Sequence, residues 1–91
     1  MPKRSFTMIS LDSPTTDRST ELKPILDKAI DWIQVKNNTW LLYTSSDPKK
    51  WYARIKPKLR DGERVFISEV DPNMRSGWMP NSFWKFIKEK A

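Results

Sequence analysis

Few residue types in this 91-residue chain could carry out catalysis, because it contains no His and no Cys. The missing His removes the commonest general base, and the missing Cys removes both disulfides and thiolate metal ligands. A bound metal would therefore be a hard, oxygen-ligated ion such as Mg²⁺ or Mn²⁺, and no cofactor is required by the composition. A serine nucleophile is unsupported, because no His or evident Lys partner lies at a readable spacing. The serines considered are Ser10, Ser13, Ser45 and Ser46.

Asp12 is the best catalytic candidate by position. It follows a strand-like apolar segment, residues 5–11, and begins the loop Asp12-Ser13-Pro14. An Asp in such a turn can accept hydrogen bonds from backbone amides beyond it, which is the simpler of two roles for this residue. The other role is metal ligation. Asp17 and Asp71 are then the candidates for a second carboxylate.

The net charge of +6 is concentrated in one segment, residues 49–60. This segment contains six basic residues and no acid, whereas the rest of the chain has eleven of each. A solvated helix face explains such residues, but a surface helix usually mixes both signs. We therefore favour contact with nucleic-acid phosphates. The predicted nucleic-acid-binding residues are Lys49, Lys50, Arg54, Lys56, Lys58 and Arg60.

A helix is predicted to present these basic side chains. Asp47 is suited to capping its N-terminus and Pro48 to its first position, and the helix is predicted to reach about Leu59, with its last turn distorted by Pro57. At about 100° per residue, one apolar face forms and the basic residues flank it on both sides. That face contains Trp51, Tyr52, Ile55 and Leu59.

The other elements complete an alternating order. Thr20 is predicted to cap a helix with an apolar face at Leu22, Ile25 and Leu26. Residues 32–36 and 39–45 predict a hairpin, residues 63–70 predict a fourth strand, and a short helix begins near Pro80 or Asn81. The order β-α-β-β-α-β predicts an α+β, ferredoxin-like sandwich with an additional C-terminal helix. We expect one domain over residues 1–91, with a flexible N-terminus at residues 1–4.

Aromatic residues are abundant for so small a chain, with five Trp among them. Residues 75–91 form an aromatic segment with little chain left to cover it, so we predict that it packs on the sheet or on a second copy. The predicted interface residues are Trp78, Phe83 and Trp84, and the predicted assembly is a homodimer. Trp32, Trp40 and Phe66 are interpreted first as core or interface residues. No membrane-spanning stretch or signal core is apparent, so we expect a cytoplasmic protein.

Several short motifs resemble a known group of small proteins. They are the strand ending at Asp12, the Thr39-Trp40 pair, the basic second helix, and Gly77-Trp78-Met79-Pro80 followed by an aromatic helix. Together they resemble the small ferredoxin-like subunit of CRISPR adaptation complexes and its relatives, the VapD-type toxin ribonucleases and, closest, the SinR-like small proteins. The resemblance implies that Asp12 faces its counterpart in a dimer and that the pair binds a divalent ion. The sequence departs from the family at Leu11, where an aromatic residue is common.

Three functions are consistent with these features. The leading one is a dimeric protein that binds or organises RNA or DNA through its basic helix. The alternative is a Mg²⁺-dependent endoribonuclease that uses paired Asp12 carboxylates. The third is a protein–protein interaction module from a phage or defence system, with Trp78, Phe83 and Trp84 as anchors.

Overall fold

The computed structural model of the chain describes residues 4–13, 17–71 and 76–90. Predictions for residues 1–3, 14–16, 72–75 and 91 lie outside these ranges. The described strands are β1 (Ser5–Asp12), β2 (Asp31–Lys36), β3 (Thr39–Thr44) and β4 (Arg64–Val70). The described helices are α1 (Ser19–Leu26), α2 (Pro48–Ile55) with a 3₁₀ turn at Lys56–Lys58, and α3 (Asn81–Lys90). None of these helices has the length and apolar composition needed to cross a membrane.

The four strands form one antiparallel sheet in the order β2-β3-β1-β4. β1 is therefore central, and its adjacent apolar residues Met8 and Ile9 point to opposite faces, both of which are covered at least in part. Ile9 lies opposite Trp40 on one side and Ile67 on the other. The molecule is thus an α+β structure in which β2 and β4 are the edge strands.

One face of the sheet is covered by α1 and α2. Each helix contributes its apolar residues to the same cluster, which also receives alternate residues of β1 and β3. The fully buried members include Ile9, Leu22, Leu26, Trp40, Leu42, Trp51 and Ile55. The predicted apolar faces of both helices are confirmed at these positions.

The opposite face of the sheet is covered in part by α3. Phe86 and Ile87 pack with Phe6 and Leu41, which alternate with the residues that face α1 and α2. Lys90 Nζ lies 2.9 Å from Asp31 Oδ2, which fixes the end of α3 over β2. The helix therefore packs on the sheet of its own chain and leaves Phe66 of β4 exposed on this face.

Local signals explain most of the element ends. Asn38 adopts a φ of 63° in the hairpin turn, as an Asn at that position allows. The predicted Thr20 cap is wrong, because α1 begins at Ser19 and its N-cap residue is Arg18, two residues earlier. The backbone N–H of Ser19 donates to Asp17 Oδ1 at 3.1 Å. The α-helical part of α2 ends at Ile55 rather than near Leu59, since Pro57 has no N–H to continue the ladder.

Candidate nucleic-acid interface

The fold holds α2 firmly at both its N-terminus and its inner face. The Asp47 side chain accepts a hydrogen bond from the backbone N–H of Lys50 at 2.9 Å, and Pro48 begins the helix. Trp51 and Ile55 are buried against the sheet, and the Trp51 indole N–H donates to Thr44 Oγ1 at 3.3 Å. This anchoring turns Lys49, Lys50 and Tyr52 towards solvent.

Four of the six predicted phosphate ligands are exposed lysines. Within the part of the chain that the structure describes, none of their ammonium groups lies within 4.0 Å of a carboxylate. They are Lys49, Lys50, Lys56 and Lys58, and we refer to them as the basic surface. Ammonium groups on one short segment attract polyanions when no neighbouring carboxylate offsets their charge.

The two arginines of the predicted set make contacts within the chain. The Arg54 guanidinium lies 4.6 Å from the centre of the Trp51 ring, and its Nη1 atom is buried without a hydrogen-bond partner among the described residues. Arg60 Nη2 lies 2.6 Å from both carboxylate oxygens of Glu21. Phosphate binding by Arg54 or Arg60 would therefore compete with these existing contacts.

Tyr52 was predicted on the apolar face of α2, and this prediction is wrong. Its side chain is 44% exposed, and the Lys56 ammonium lies 5.8 Å from the centre of its ring. The buried stripe of this short helix is narrow and consists of Trp51 and Ile55, one turn apart. Tyr52 lies about 100° away from Trp51 around the helix and so belongs to the exposed side.

A buried ion pair that the sequence did not reveal is linked to the basic surface through the backbone of Lys58. Arg18 Nη1 donates to Glu63 Oε1, and the two side chains are only 5% and 1% exposed. Ser13 Oγ also donates to Glu63, at 2.8 Å, and Arg18 Nη2 donates to the carbonyl of Lys58 at 3.1 Å. These bonds join the start of α1, the end of the 3₁₀ turn and the residue before β4.

The environment of Glu63 has opposing effects on its pKa. Burial raises the pKa, but the hydrogen bonds from Arg18, the Arg60 backbone N–H and Ser13 lower it more, to about 2. The same pair raises the pKa of Arg18. Both groups are therefore charged at neutral pH, and no sequence signal marks them because they are 45 residues apart.

Asp12 lies at the end of β1 and is exposed on the face of the sheet that carries α3. Its Oδ2 atom accepts hydrogen bonds from Nε and Nη2 of Arg64, its cross-strand partner, at 3.1 and 2.6 Å. Exposed ion pairs of this kind contribute about 0–1 kcal/mol, so a divalent ion could displace Arg64. Metal ligation and catalysis by Asp12 stay predictions.

The other carboxylates considered for a metal site have separate roles. Asp17 accepts hydrogen bonds from Gln34 and Ser19, which lower its pKa, and it orders the start of α1. Asp71 follows β4 and is exposed. Within the described ranges, no group of three or more Asp or Glu residues is arranged to hold a metal ion.

The predicted interface residues lie beside a groove between α3 and the sheet. Phe83 and Trp84 are half-buried with ring centres 5.3 Å apart, whereas Trp78 is 97% exposed at the rim. The groove has a volume of about 360 Å³, and its floor includes Phe6, Met8 and Leu41. Because the groove is lined by apolar side chains, an apolar group of another molecule could bind there.

Comparisons of the chain with protein-family models, curated proteins and solved structures found no significant match.

Proposed function

We propose that this chain is a small basic protein that binds or organises nucleic acid by holding phosphates on its basic surface. The observation that carries the proposal is the set of four exposed lysines on α2 and the 3₁₀ turn that have no carboxylate partner among the described residues. Phosphate neutralisation by lysine releases condensed counterions, which is a sequence-independent source of affinity. The protein would therefore bind many sequences with similar strength.

The binding groups are the lysine side chains rather than the helix terminus. The N-terminus of α2 already has a carboxylate cap, Asp47, which occupies the amide that a phosphate would otherwise reach. Lysine ammonium groups on flexible stems act as point charges and do not read bases. Slight sequence preference follows from this arrangement.

We further propose that the architecture is ferredoxin-like and that the protein is a cytoplasmic homodimer related to CRISPR adaptation subunits and SinR-like proteins. The strand order β2-β3-β1-β4, with α1 and α2 together on one face, supports the fold assignment. A dimer would present two copies of the basic surface. The exposed Trp78 supports an additional subunit contact.

A metal-dependent endoribonuclease is the second candidate function. The observation that favours it is the exposure of Asp12 at a strand end, with 62% of its side chain accessible. Two such carboxylates facing each other across a dimer axis would hold Mg²⁺ or Mn²⁺ and lower the pKa of a bound water. This function needs both the dimer and displacement of Arg64.

Charge reversal tests the phosphate-binding proposal. We expect Lys50→Glu, Lys56→Glu and Lys58→Glu together to weaken binding of labelled RNA and DNA by more than about tenfold at low salt, because each lysine neutralises a phosphate. Arg54 is left unchanged because it packs on Trp51. Circular dichroism would show that the variant remains folded.

The matched control changes the net charge by the same amount elsewhere. It reverses Lys36, at the end of β2, and Lys85 and Lys88, on α3. We expect this control to retain most of the wild-type affinity, because the three lysines lie outside the basic surface and, among the described residues, the control loses only one exposed ion pair, Lys85–Glu89. Equal losses in the two triple variants would show that net charge rather than the basic surface binds nucleic acid. Wild-type affinity in the first variant would overturn the proposal.

A further inference from the structure

An aromatic side chain projects from the uncovered part of the sheet. Phe66 lies in the middle of β4 and is 70% exposed. Its neighbours Val65 and Ile67 pack towards α1 and α2, so the alternation of the strand turns Phe66 to the other face. Among the described residues, Phe66 packs with neither apolar cluster, which leaves its ring open to a ligand.

The residues beside Phe66 leave one side of the ring accessible. Ser10 is its partner on β1, and Ser68 follows two residues later on the same face. Both side chains are short. Arg64 precedes Phe66 on this face with 83% of its side chain exposed, and its guanidinium pairs with Asp12. A flat surface with an aromatic ring, hydroxyls and a guanidinium suits an unpaired nucleobase.

The basic surface and Phe66 lie on either side of the same edge strand. α2 and the 3₁₀ turn belong to the layer on one face of the sheet, and the chain passes from them through residues 59–63 into β4. Residues 49–66 contain seven basic and two acidic residues, and one of those acids, Glu63, is buried against Arg18. Arg60 and Arg64 pair with Glu21 and Asp12, so the lysines of the basic surface supply most of the positive charge beside the β4 edge.

We infer that Phe66 stacks on a base of a single-stranded nucleic acid whose phosphates contact the basic surface. This inference rests on the proposed function and specifies its ligand. A single strand can place phosphates on one side of the β4 edge and an unpaired base on the other. A duplex keeps its bases stacked internally, so it reaches the lysines but not the ring.

The test compares a single-stranded 12-nucleotide pyrimidine RNA or DNA with a duplex of the same length. We expect Phe66→Ala to weaken single-strand binding by about 5- to 100-fold, since it removes one base–aromatic stack. Duplex binding and the salt dependence should not change, because no charge is lost. Phe66→Trp should retain single-strand affinity, because it keeps an aromatic surface.

Ile30→Ala is a suitable control, because it removes another exposed apolar side chain, 51% accessible, next to the opposite edge strand. We expect it to bind like the wild type. Single-strand binding by Phe66→Ala that equals the wild type would overturn the stacking inference and leave phosphate binding intact. Failure of the wild type to bind any nucleic acid would overturn both. Dissociation of a dimer by Phe66→Ala would place the ring in a subunit interface and would also overturn the inference.

Discussion

Arg18 joins parts of the molecule that are distant in the sequence. Its guanidinium contacts Glu63 and Glu21 and donates to the Lys58 carbonyl, while its backbone N–H donates to Asn38 Oδ1 at 2.7 Å. Removing either member of a buried ion pair leaves the other charge without compensation. The Arg18–Glu63 pair therefore fixes the residue before β4 close to the 3₁₀ turn that carries Lys58.

The pH dependence of stability tests this role of Glu63. The folded pKa of Glu63, about 2, lies below its ordinary value of 4.5. Its contribution to the free energy of unfolding is therefore complete above pH 4.5 and is lost as the pH falls towards 2. Glu63→Gln should cost about 1.5–3 kcal/mol at neutral pH, since it removes charged hydrogen bonds. Urea unfolding of the wild type and of Glu63→Gln from pH 7 to pH 2.5 should show that the difference between their free energies of unfolding becomes smaller as the pH falls. A difference that stays constant would contradict the assigned cause.

Asp12 permits a separate test at the scale of one residue. In highly purified protein we expect at most weak Mg²⁺- or Mn²⁺-dependent cleavage of single-stranded RNA or DNA, because the carboxylate is paired with Arg64 in the single chain. Asp12→Asn and EDTA should each remove this activity. Cleavage that survives both treatments would exclude the paired-carboxylate mechanism. Arg64→Ala is an informative companion, since it frees the carboxylate.

At the scale of elements, the Asp47 cap fixes the first turn of α2, which carries Lys49 and Lys50. Asp47→Ala removes the side-chain acceptor of the Lys50 amide and should cost about 1 kcal/mol of stability. Ser45→Ala, at an exposed position just before the helix, is the control and should change little. Chemical unfolding measures both variants. Equal stability of Asp47→Ala and the wild type would show that the cap does not hold α2.

Local signals in the sequence predicted most of the elements but not their long-range contacts. The cap at Asp47, the start of α2 at Pro48 and the turn at Asn38 follow from the backbone preferences of single residues. The burial of Arg18 and Glu63 depends on residues far apart in the chain, and no periodicity reveals it. An apolar pattern also could not distinguish the buried Trp40 from the exposed Phe66.

At the scale of the whole molecule, the two faces of the sheet differ in how completely they are covered. α1 and α2 enclose one face, whereas α3 leaves Phe66 and the Asp12–Arg64 pair exposed on the other. The lysines lie on the enclosed side, whereas the groove beside Trp78 lies on the other face. Phosphate binding by the lysines, as proposed, would leave that groove accessible to a second chain.

Homodimer formation is the prediction that belongs to this scale. Trp78 is almost wholly exposed beside an apolar groove, and covering such a side chain favours association. We expect sedimentation equilibrium at micromolar concentration to give about twice the 10.8 kDa mass of one chain, and Trp78→Ala to shift the population towards monomer. A monomer whose mass is independent of concentration would rule out the dimer.

The salt dependence of nucleic-acid binding tests the central proposal most directly. If the four lysines of the basic surface each neutralise one phosphate, the slope of log K against log salt should be about −3 on single strands and about −4 on duplex DNA for one bound copy. Titration of labelled nucleic acid at several salt concentrations gives this slope. The Lys50, Lys56 and Lys58 charge-reversal variant should reduce its magnitude. A slope near zero, or no binding even at low salt, would contradict the account.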